Sequence, residues 1–80
     1  MFFVYILKSL KDCKYYYGST QDLEKRVFRH NQGRVNSTKS RRPLVLHYSE
    51  QFETKLEAVK REYFFKSIDG YLWLKDQKIT

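Results

Sequence analysis

Five side chains with acid–base or phosphate-binding chemistry are distributed over the first 62 residues of this 80-residue chain: Tyr5, Tyr16, Arg26, His30 and Glu62. A tyrosine phenol has an ordinary pKa near 10, so it becomes a useful base only where neighbouring cations lower that pKa. An arginine presents a planar fork that fits phosphate oxygens, and a histidine exchanges a proton near neutral pH. A glutamate carboxylate can bind Mg²⁺. Such a set could activate water beside a bound phosphate if the fold brought its members together.

Each of the five also has a purely structural interpretation, and the residues alone leave both open. Strand tyrosines commonly pack in the core with a wet hydroxyl. Arg26 and His30 could be an arginine at a helix edge and a histidine whose hydrogen bonds are satisfied locally. Glu62 could pair with Lys66 one turn later, in the orientation that stabilises a helix. Whether the functional or the structural interpretation applies therefore depends on the strands and helices that position these side chains.

The two tyrosines lie on two predicted strands near the start of the chain. Residues 2–8 are β-branched and aromatic and apolar on both faces, which predicts a central strand. A short polar loop joins it to a second, antiparallel strand over residues 14–18. Alternation puts Phe3, Tyr5 and Leu7 on one face and Phe2, Val4 and Ile6 on the other. We expect Tyr5 to face Tyr16 or Tyr17 across the hairpin.

A helix ending near residue 31 carries the arginine and the histidine. Three residues that favour a helix start precede it, and the sequence does not decide which one caps: Ser19, Thr20 and Asp22. Leu23 and Val27 define its apolar stripe, and at 100° per residue Arg26 and His30 fall on or beside that stripe. The basic pair is therefore predicted to point toward the sheet, where a merely solvated charge would not lie.

The second half of the chain predicts a loop over residues 34–42, a third strand over 44–49 and a helix over 54–67. We expect the third strand to place Leu44, Leu46 and Tyr48 on one face, and the helix to bury a stripe of Phe52, Leu56, Val59 and Tyr63. Asp69-Gly70 is expected to break this helix, and the tail from Tyr71 to form a third helix or helical turn. The resulting order, β-β-α-β-α-α over residues 1–80, predicts a single α+β domain with a small antiparallel or mixed sheet.

The charge predicts polyanionic partners. Lys and Arg number 16 against 9 Asp and Glu, a net charge of +7, and we favour nucleic acid over an anionic membrane surface. Five basic residues are expected to contact phosphates, with a solvated surface as the alternative: Arg34, Lys39, Arg41, Arg42 and Lys66. A single cysteine, Cys13, excludes an internal disulfide and predicts a cytoplasmic location, and no apolar run is long enough to span a bilayer. Motifs for zinc, Walker-type nucleotide and dinucleotide binding are absent.

Taken in order, these residues resemble the GIY-YIG nuclease family, particularly its small single-domain branch related to excision-repair nucleases. Phe3-Val4-Tyr5 stands where the family has GIY, and Tyr16-Tyr17-Gly18 stands where it has YIG. The helix segment LEKRVFRHNQG and the later segment EAVKREYFFK carry the remaining three side chains. The resemblance covers about residues 2–68.

The resemblance implies a three-stranded antiparallel sheet flanked by helices and metal-dependent cleavage of DNA phosphodiester bonds, with branched or damaged DNA as the candidate substrate in repair. It implies Tyr5 as the general base, assisted by His30, with Tyr16 positioning the water or the phosphate. It implies Arg26 as the group that stabilises charge on the phosphate, and Glu62 as the ligand of one Mg²⁺ or Mn²⁺.

Two departures from the family pattern keep other functions open. Phe3 replaces the glycine of GIY, and the chain has no secure counterpart of the late asparagine that larger members carry. The alternative is a catalytically weak or inactive DNA-binding module of the same fold. A third hypothesis, self-association or protein binding through the aromatic tail, rests on Tyr71 and Trp73. Without a second DNA-binding domain, sequence specificity would come from a protein partner or be absent.

Overall fold

The computed structural model describes all residues, 1–80, and has the predicted order of elements. The strands are β1 (Phe2–Ser9), β2 (Tyr15–Thr20) and β3 (Leu44–Phe52), and the helices are α1 (Leu23–Asn31), α2 (Lys55–Phe65) and α3 (Ile68–Asp76), with a short 3₁₀ turn at Lys39–Arg41 before β3. The sheet order is β2-β1-β3, and both pairings are antiparallel. The expected α+β class and the central position of β1 are therefore confirmed. None of the helices has the length and apolar character needed to cross a bilayer.

Each face of β1 faces its own small core, because its side chains alternate. Val4 and Ile6 pack with Phe65 of α2 and Leu74 of α3. On the other face, a second cluster joins Tyr5, Leu7 and Leu44 with apolar side chains of α1. The face covered by α1 carries the candidate site side chains Tyr5, Tyr16 and His30.

Helix α1 begins where an aspartate caps it and ends just before a glycine. The Asp22 side chain accepts a hydrogen bond from the Lys25 amide at 3.1 Å, so Asp22, rather than Ser19 or Thr20, is the N-cap. Gly33 has a φ of +77°, the left-handed conformation that commonly ends a helix. These two signals fix the length of α1 and hence the direction of its side chains.

The predicted third strand is too short, and its side chains are wrongly assigned to one face. A bulge opposite Ile6 and Leu7 shifts the register, so that Leu46 pairs with Leu7 while Tyr48 pairs with Ile6. The extra residue sends Leu46 and Tyr48 to opposite faces of the sheet. Leu46 is 44% exposed, whereas Tyr48 packs against the core formed by Val4, Ile6, Phe65 and Leu74.

The predicted buried stripe of α2 is also wrong. Phe52 belongs to β3, and Leu56 and Tyr63 are 63% and 66% exposed. The buried residues are Ala58 and Phe65, seven positions apart, which set the inward face of the helix. Thr54 caps the start of the helix, as expected, and the packing of Phe65 against β1 and α3 decides which face is buried. This correction places Glu62, four residues after Ala58, on the inward face.

The break before α3 is misplaced in the sequence prediction. Gly70 lies inside α3 and is buried, and the helix begins at the N-cap Ser67, whose hydroxyl accepts from the Gly70 amide at 3.1 Å. A Cβ on Gly70 would overlap the Phe64 carbonyl oxygen and approach Phe65 Cα to 2.8 Å. The glycine therefore permits close contact between the end of α2 and α3.

Replacing Gly70 with alanine is expected to lower the free energy of unfolding by about 2–4 kcal/mol, because backbone atoms cannot move aside as a flexible side chain would. Urea unfolding followed by circular dichroism measures the loss. Asp76→Ala, an exposed substitution in the same helix, is the control and should stay within about 0.5 kcal/mol of the wild type. An unchanged urea midpoint for Gly70→Ala would contradict the packing described here.

Candidate active site

The Tyr5 side chain is fully buried and crosses over Gly18 of the neighbouring strand. Gly18, rather than Tyr16 or Tyr17, is its partner across the hairpin, so the predicted register was wrong. A Cβ at position 18 would lie 2.5 Å from Tyr5 Oη and 2.6 Å from Cζ. Only a glycine leaves room for the phenol there, and Gly18 therefore fixes where the hydroxyl lies.

The hydroxyl of Tyr5 meets a buried histidine. A hydrogen bond of 3.1 Å joins Tyr5 Oη and His30 Nε2, and His30 has no exposed surface. The ring of Tyr16 lies on the same side of the sheet, with its centroid 5.0 Å from that of His30 and 6.4 Å from that of Tyr5. The helical wheel predicted the inward direction of His30, and three rings meet where α1 covers the hairpin.

The other nitrogen of His30 contacts a residue that the sequence did not single out. His30 Nδ1 lies 2.7 Å from Thr38 Oγ1, and Thr38 is fully buried although it belongs to the loop between α1 and β3. A polar residue in a segment without periodicity gives no sequence signal for burial. The neighbouring Asn31 was also missed: its side chain bonds both the amide and the carbonyl of Leu44, each at 2.8 Å, and ties α1 to β3.

Arg26 lies one turn before His30 and is half-buried. It lines a cleft of about 250 Å³ between the starts of α1 and α2, together with Ser19, Thr20 and Lys55. None of the ion pairs of the protein involves Arg26. Its guanidinium therefore has no carboxylate partner, and it both lines the cleft and contacts the Tyr5 phenol.

Glu62 combines the two interpretations that the sequence left open. Its carboxylate forms the expected ion pair with Lys66, with Nζ and Oε2 2.7 Å apart. Yet its side chain is only 16% exposed, whereas that of Lys66 is 47% exposed. Glu62 is also close enough to Tyr5 for its negative charge to raise the pKa of that phenol. Glu62 is thus a largely buried carboxylate on the inward face of α2, with the more exposed Lys66 as its present partner.

The environment sets the protonation of the tyrosine and the histidine. Burial, followed by the proximity of Tyr16, raises the pKa of Tyr5 to about 12, while Arg26 opposes this through its charge and its polar contact with the phenol. Burial lowers the pKa of His30, and the positive charge of Arg26 adds to that effect. At neutral pH the pair therefore consists of a protonated phenol and a neutral imidazole.

The family model of the GIY-YIG catalytic domain matches residues 1–69 of the chain. The chain belongs to the GIY-YIG domain family, which is a nuclease family. The matched range includes every candidate site residue, from Tyr5 on β1 to Glu62 on α2.

Bacterial proteins resemble this GIY-YIG domain over most of its length. The UPF0213 protein SSP2268 of Staphylococcus saprophyticus is 46% identical over 74 residues, covering 91% of this chain and 89% of that protein. The UPF0213 protein YazA of Bacillus subtilis is 48% identical over 67 residues, covering 82% of this chain and 67% of that protein. The solution structure of the UPF0213 protein BH0048 from Bacillus halodurans matches 98% of this chain and 86% of that one, with 34% identity and a TM-score of 0.56.

The donor set of the GIY-YIG site fits a divalent cation held mainly by substrate and water. No cluster of three or more His, Cys, Asp or Glu side chains could form a closed protein cage. Mg²⁺, however, commonly keeps several waters and binds one or two carboxylates plus substrate phosphates. The carboxylate of Glu62 would be that ligand, since its present partner, Lys66, is about half exposed to solvent.

The five basic residues predicted to contact phosphates differ in their surroundings. Arg41 pairs with Asp12 at 2.9 Å and Lys66 with Glu62, so both already have carboxylate partners. Lys39 and Arg42 line an open cavity of about 590 Å³ that contains no acidic residue; its other lining residues are Lys11, Asn31, Ser40 and Pro43. Arg34 is exposed. The surface beside the loop that carries Thr38 therefore presents basic side chains without acidic residues among them.

Proposed function

We propose that this GIY-YIG domain is a metal-dependent endonuclease that hydrolyses DNA phosphodiester bonds. The observation that carries the proposal is the Tyr5 hydroxyl, held over Gly18 between His30 and Arg26. A tyrosine with only a structural role would not require a residue without a Cβ beneath its ring, a histidine hydrogen-bonded to its hydroxyl and an arginine without a carboxylate partner at its side. Branched or damaged DNA is the proposed substrate class, with a protein partner supplying any sequence specificity.

The chemistry assigned to the chain is activation of water. Tyr5 takes a proton from the attacking water as its own proton passes to neutral His30, which lies 3.1 Å away. Arg26 faces the cleft and stabilises the charge that develops on the phosphate oxygens. Tyr16, beside both rings, orients the water or the phosphate.

Glu62 would hold one Mg²⁺ or Mn²⁺, whose positive charge would stabilise the leaving oxygen and favour the phenolate of Tyr5. Before the carboxylate can do this, Lys66 has to leave Glu62. An approaching DNA phosphate offers Lys66 an alternative anion, so substrate binding and release of the carboxylate support each other.

The DNA backbone would follow the basic surface of the loop between α1 and β3. Lys39 and Arg42 lie beside a cavity free of acidic side chains, and Arg34 lies on the exposed side of the same loop. With a net charge of +7, association with DNA should be strongly salt-dependent.

A DNA-binding module that does not cut is the second candidate. Two observations favour it. The Glu62 carboxylate is already paired with Lys66, and the pKa of Tyr5 is raised to about 12, so the phenol is a poor base in the free protein. Such a module would bind DNA with the same dependence on salt but would show no dependence on the carboxylate of Glu62.

The test uses supercoiled plasmid and branched duplexes, incubated with Mg²⁺, Mn²⁺, Ca²⁺ or EDTA. We expect cutting of at least one substrate with Mg²⁺ or Mn²⁺ and none with EDTA. Arg26→Ala should reduce the cutting rate by about 100-fold or more, because it removes charge stabilisation in the transition state. Arg29→Ala removes an exposed arginine of the same helix and is the matched control.

The possible outcomes separate the two candidates. Equal cutting by the wild type and Arg26→Ala would assign the activity to a contaminant or to another site. Salt-sensitive DNA binding without cutting by any form would favour the binding module. Absence of both would contradict each of them.

A further inference from the structure

We infer that Thr38 fixes the tautomer of His30 by holding a proton on Nδ1, which leaves Nε2 as the acceptor for the Tyr5 hydroxyl. Thr38 would then be a positioning residue for the reaction, acting through His30 without touching the substrate. The tautomer follows from the geometry of the free protein, whereas its catalytic consequence rests on the proposed function.

Counting donors and acceptors along this buried chain gives only one consistent direction. The Thr38 hydroxyl has one proton, and the Val35 carbonyl, 3.4 Å away, is available to accept it. The lone pair of Thr38 Oγ1 then accepts from His30 Nδ1 over 2.7 Å. His30 Nε2 carries no proton and accepts from Tyr5 Oη over 3.1 Å.

The reverse direction leaves a buried proton without a partner. If Nε2 carried the proton, Tyr5 Oη would accept it and would have to donate its own proton elsewhere. Apart from His30, the side chain in hydrogen-bonding contact with the phenol is Arg26, which has donors only, whereas Tyr16 and Glu62 act on the phenol through their charge alone. A fully buried donor without an acceptor is unfavourable, so the direction from Tyr5 through His30 to Thr38 is preferred.

This direction is the one that the proposed reaction requires. The O–H bond of Tyr5 breaks and an N–H bond forms on His30 Nε2, while the phenolate oxygen takes a proton from the attacking water. The resulting imidazolium has two N–H groups, and both have acceptors, in Tyr5 Oη and Thr38 Oγ1. His30 can then lose the proton by the reverse path, from Nε2 to Tyr5 Oη as the phenol gives its own proton to the leaving oxygen or to water, without rotating its ring.

The loop that carries Thr38 is held in place by its own backbone. The Thr38 amide donates to the Val35 carbonyl at 3.1 Å, and the Arg41 amide donates to the Thr38 carbonyl at 2.9 Å. The Ser9 hydroxyl on β1 donates to the Arg41 carbonyl at 2.6 Å. The position of the Thr38 hydroxyl is therefore determined by a short turn anchored to the central strand.

The decisive measurement is the pair of ¹⁵N chemical shifts of the His30 ring in the free wild-type protein, compared with Thr38→Val and Thr38→Ser. We expect the wild type and Thr38→Ser to be protonated on Nδ1. Valine has nearly the shape of threonine but no hydroxyl, so Thr38→Val should shift the population toward the Nε2–H form. Single-turnover cleavage should fall about 100-fold in Thr38→Val and within about threefold of the wild type in Thr38→Ser, with DNA affinity unchanged.

Protonation of Nε2 in the wild type would overturn the inference without reference to any variant. An unchanged Nδ1–H tautomer in a folded Thr38→Val protein would overturn it as well. If the ring shifts behave as expected but no form cuts DNA, the tautomer assignment stands and the proposed nuclease function fails.

Discussion

Replacing Gly18 with alanine is expected to lower single-turnover DNA cleavage by about 100-fold or more while the domain remains folded. A Cβ at this position would lie 2.5 Å from Tyr5 Oη, so the phenol has to move away from His30 Nε2. A displacement of about 1 Å at a reacting group can cost 100-fold in rate. The cleavage rate at saturating protein concentration measures the effect, and circular dichroism checks the fold.

The control for Gly18→Ala is the same substitution in a Tyr5→Phe background. If Gly18 acts by placing the Tyr5 hydroxyl, the second substitution should add little once that hydroxyl is absent, and the two losses should be far from additive. Full activity of a folded Gly18→Ala protein would contradict the role given to the glycine. Fully additive losses would show that Gly18 acts by another route.

Replacing Glu62 with glutamine is expected to reduce metal-supported cleavage by about 1,000-fold and to leave DNA affinity nearly unchanged. Glutamine keeps the size of the side chain on the inward face of α2 but loses the charge that a hard divalent cation requires. Titration of the cleavage rate with Mg²⁺ and Mn²⁺ should show that higher metal concentrations restore little activity. The metal is assigned to a single carboxylate, so no neighbouring acid can replace it.

Two further variants bracket the effect of Glu62→Gln. Glu53→Gln changes an exposed carboxylate just before α2 and should behave as the wild type. Lys66→Met removes the present partner of Glu62, so half-maximal activity should require less metal. Cleavage by Glu62→Gln at the wild-type rate and metal dependence would exclude Glu62 as the ligand.

The predictions that the structure confirms rest on local signals. The alternation in residues 2–8 gave the central strand and its two faces, because every side chain of β1 follows the same period. The stripe of Leu23 and Val27 gave the inward direction of His30, because capping and the following glycine fix the phase of a nine-residue helix. The chain order of the elements gave the fold class.

The predictions that failed depend on contacts between distant parts of the chain. The bulge opposite Ile6 and Leu7 reverses the faces of β3, and only the pairing of two strands reveals it. The start of α2 at Thr54 was predicted correctly, but the face that it buries is decided by packing of Phe65 against β1 and α3, which are distant in sequence or follow the helix. Gly70 resembles a helix breaker in sequence, yet it lies inside α3, where the absence of a Cβ permits close contact with the backbone of Phe64.

The sequence named the side chains of the candidate site but not the atoms that surround them. Resemblance to a family supplied Tyr5 and Glu62 as partners of the α1 pair, which spacing alone could not connect. Gly18 was seen as the end of a strand, and its place beneath the Tyr5 ring needed the register of the hairpin. Thr38 has no sequence pattern at all, because a loop residue becomes buried only through the path of the whole loop.

The most direct test of the proposed site is the single-turnover cleavage rate of Tyr5→Phe, measured with saturating protein and Mg²⁺ or Mn²⁺, alongside DNA affinity by fluorescence anisotropy. The substitution removes one oxygen atom and leaves the ring that packs between Leu7 and Gly18. If the hydroxyl activates water, cleavage should fall by about 100-fold to 10,000-fold at unchanged DNA affinity. Cleavage by Tyr5→Phe at the wild-type rate would contradict the account, because the arrangement around that hydroxyl would then be structural.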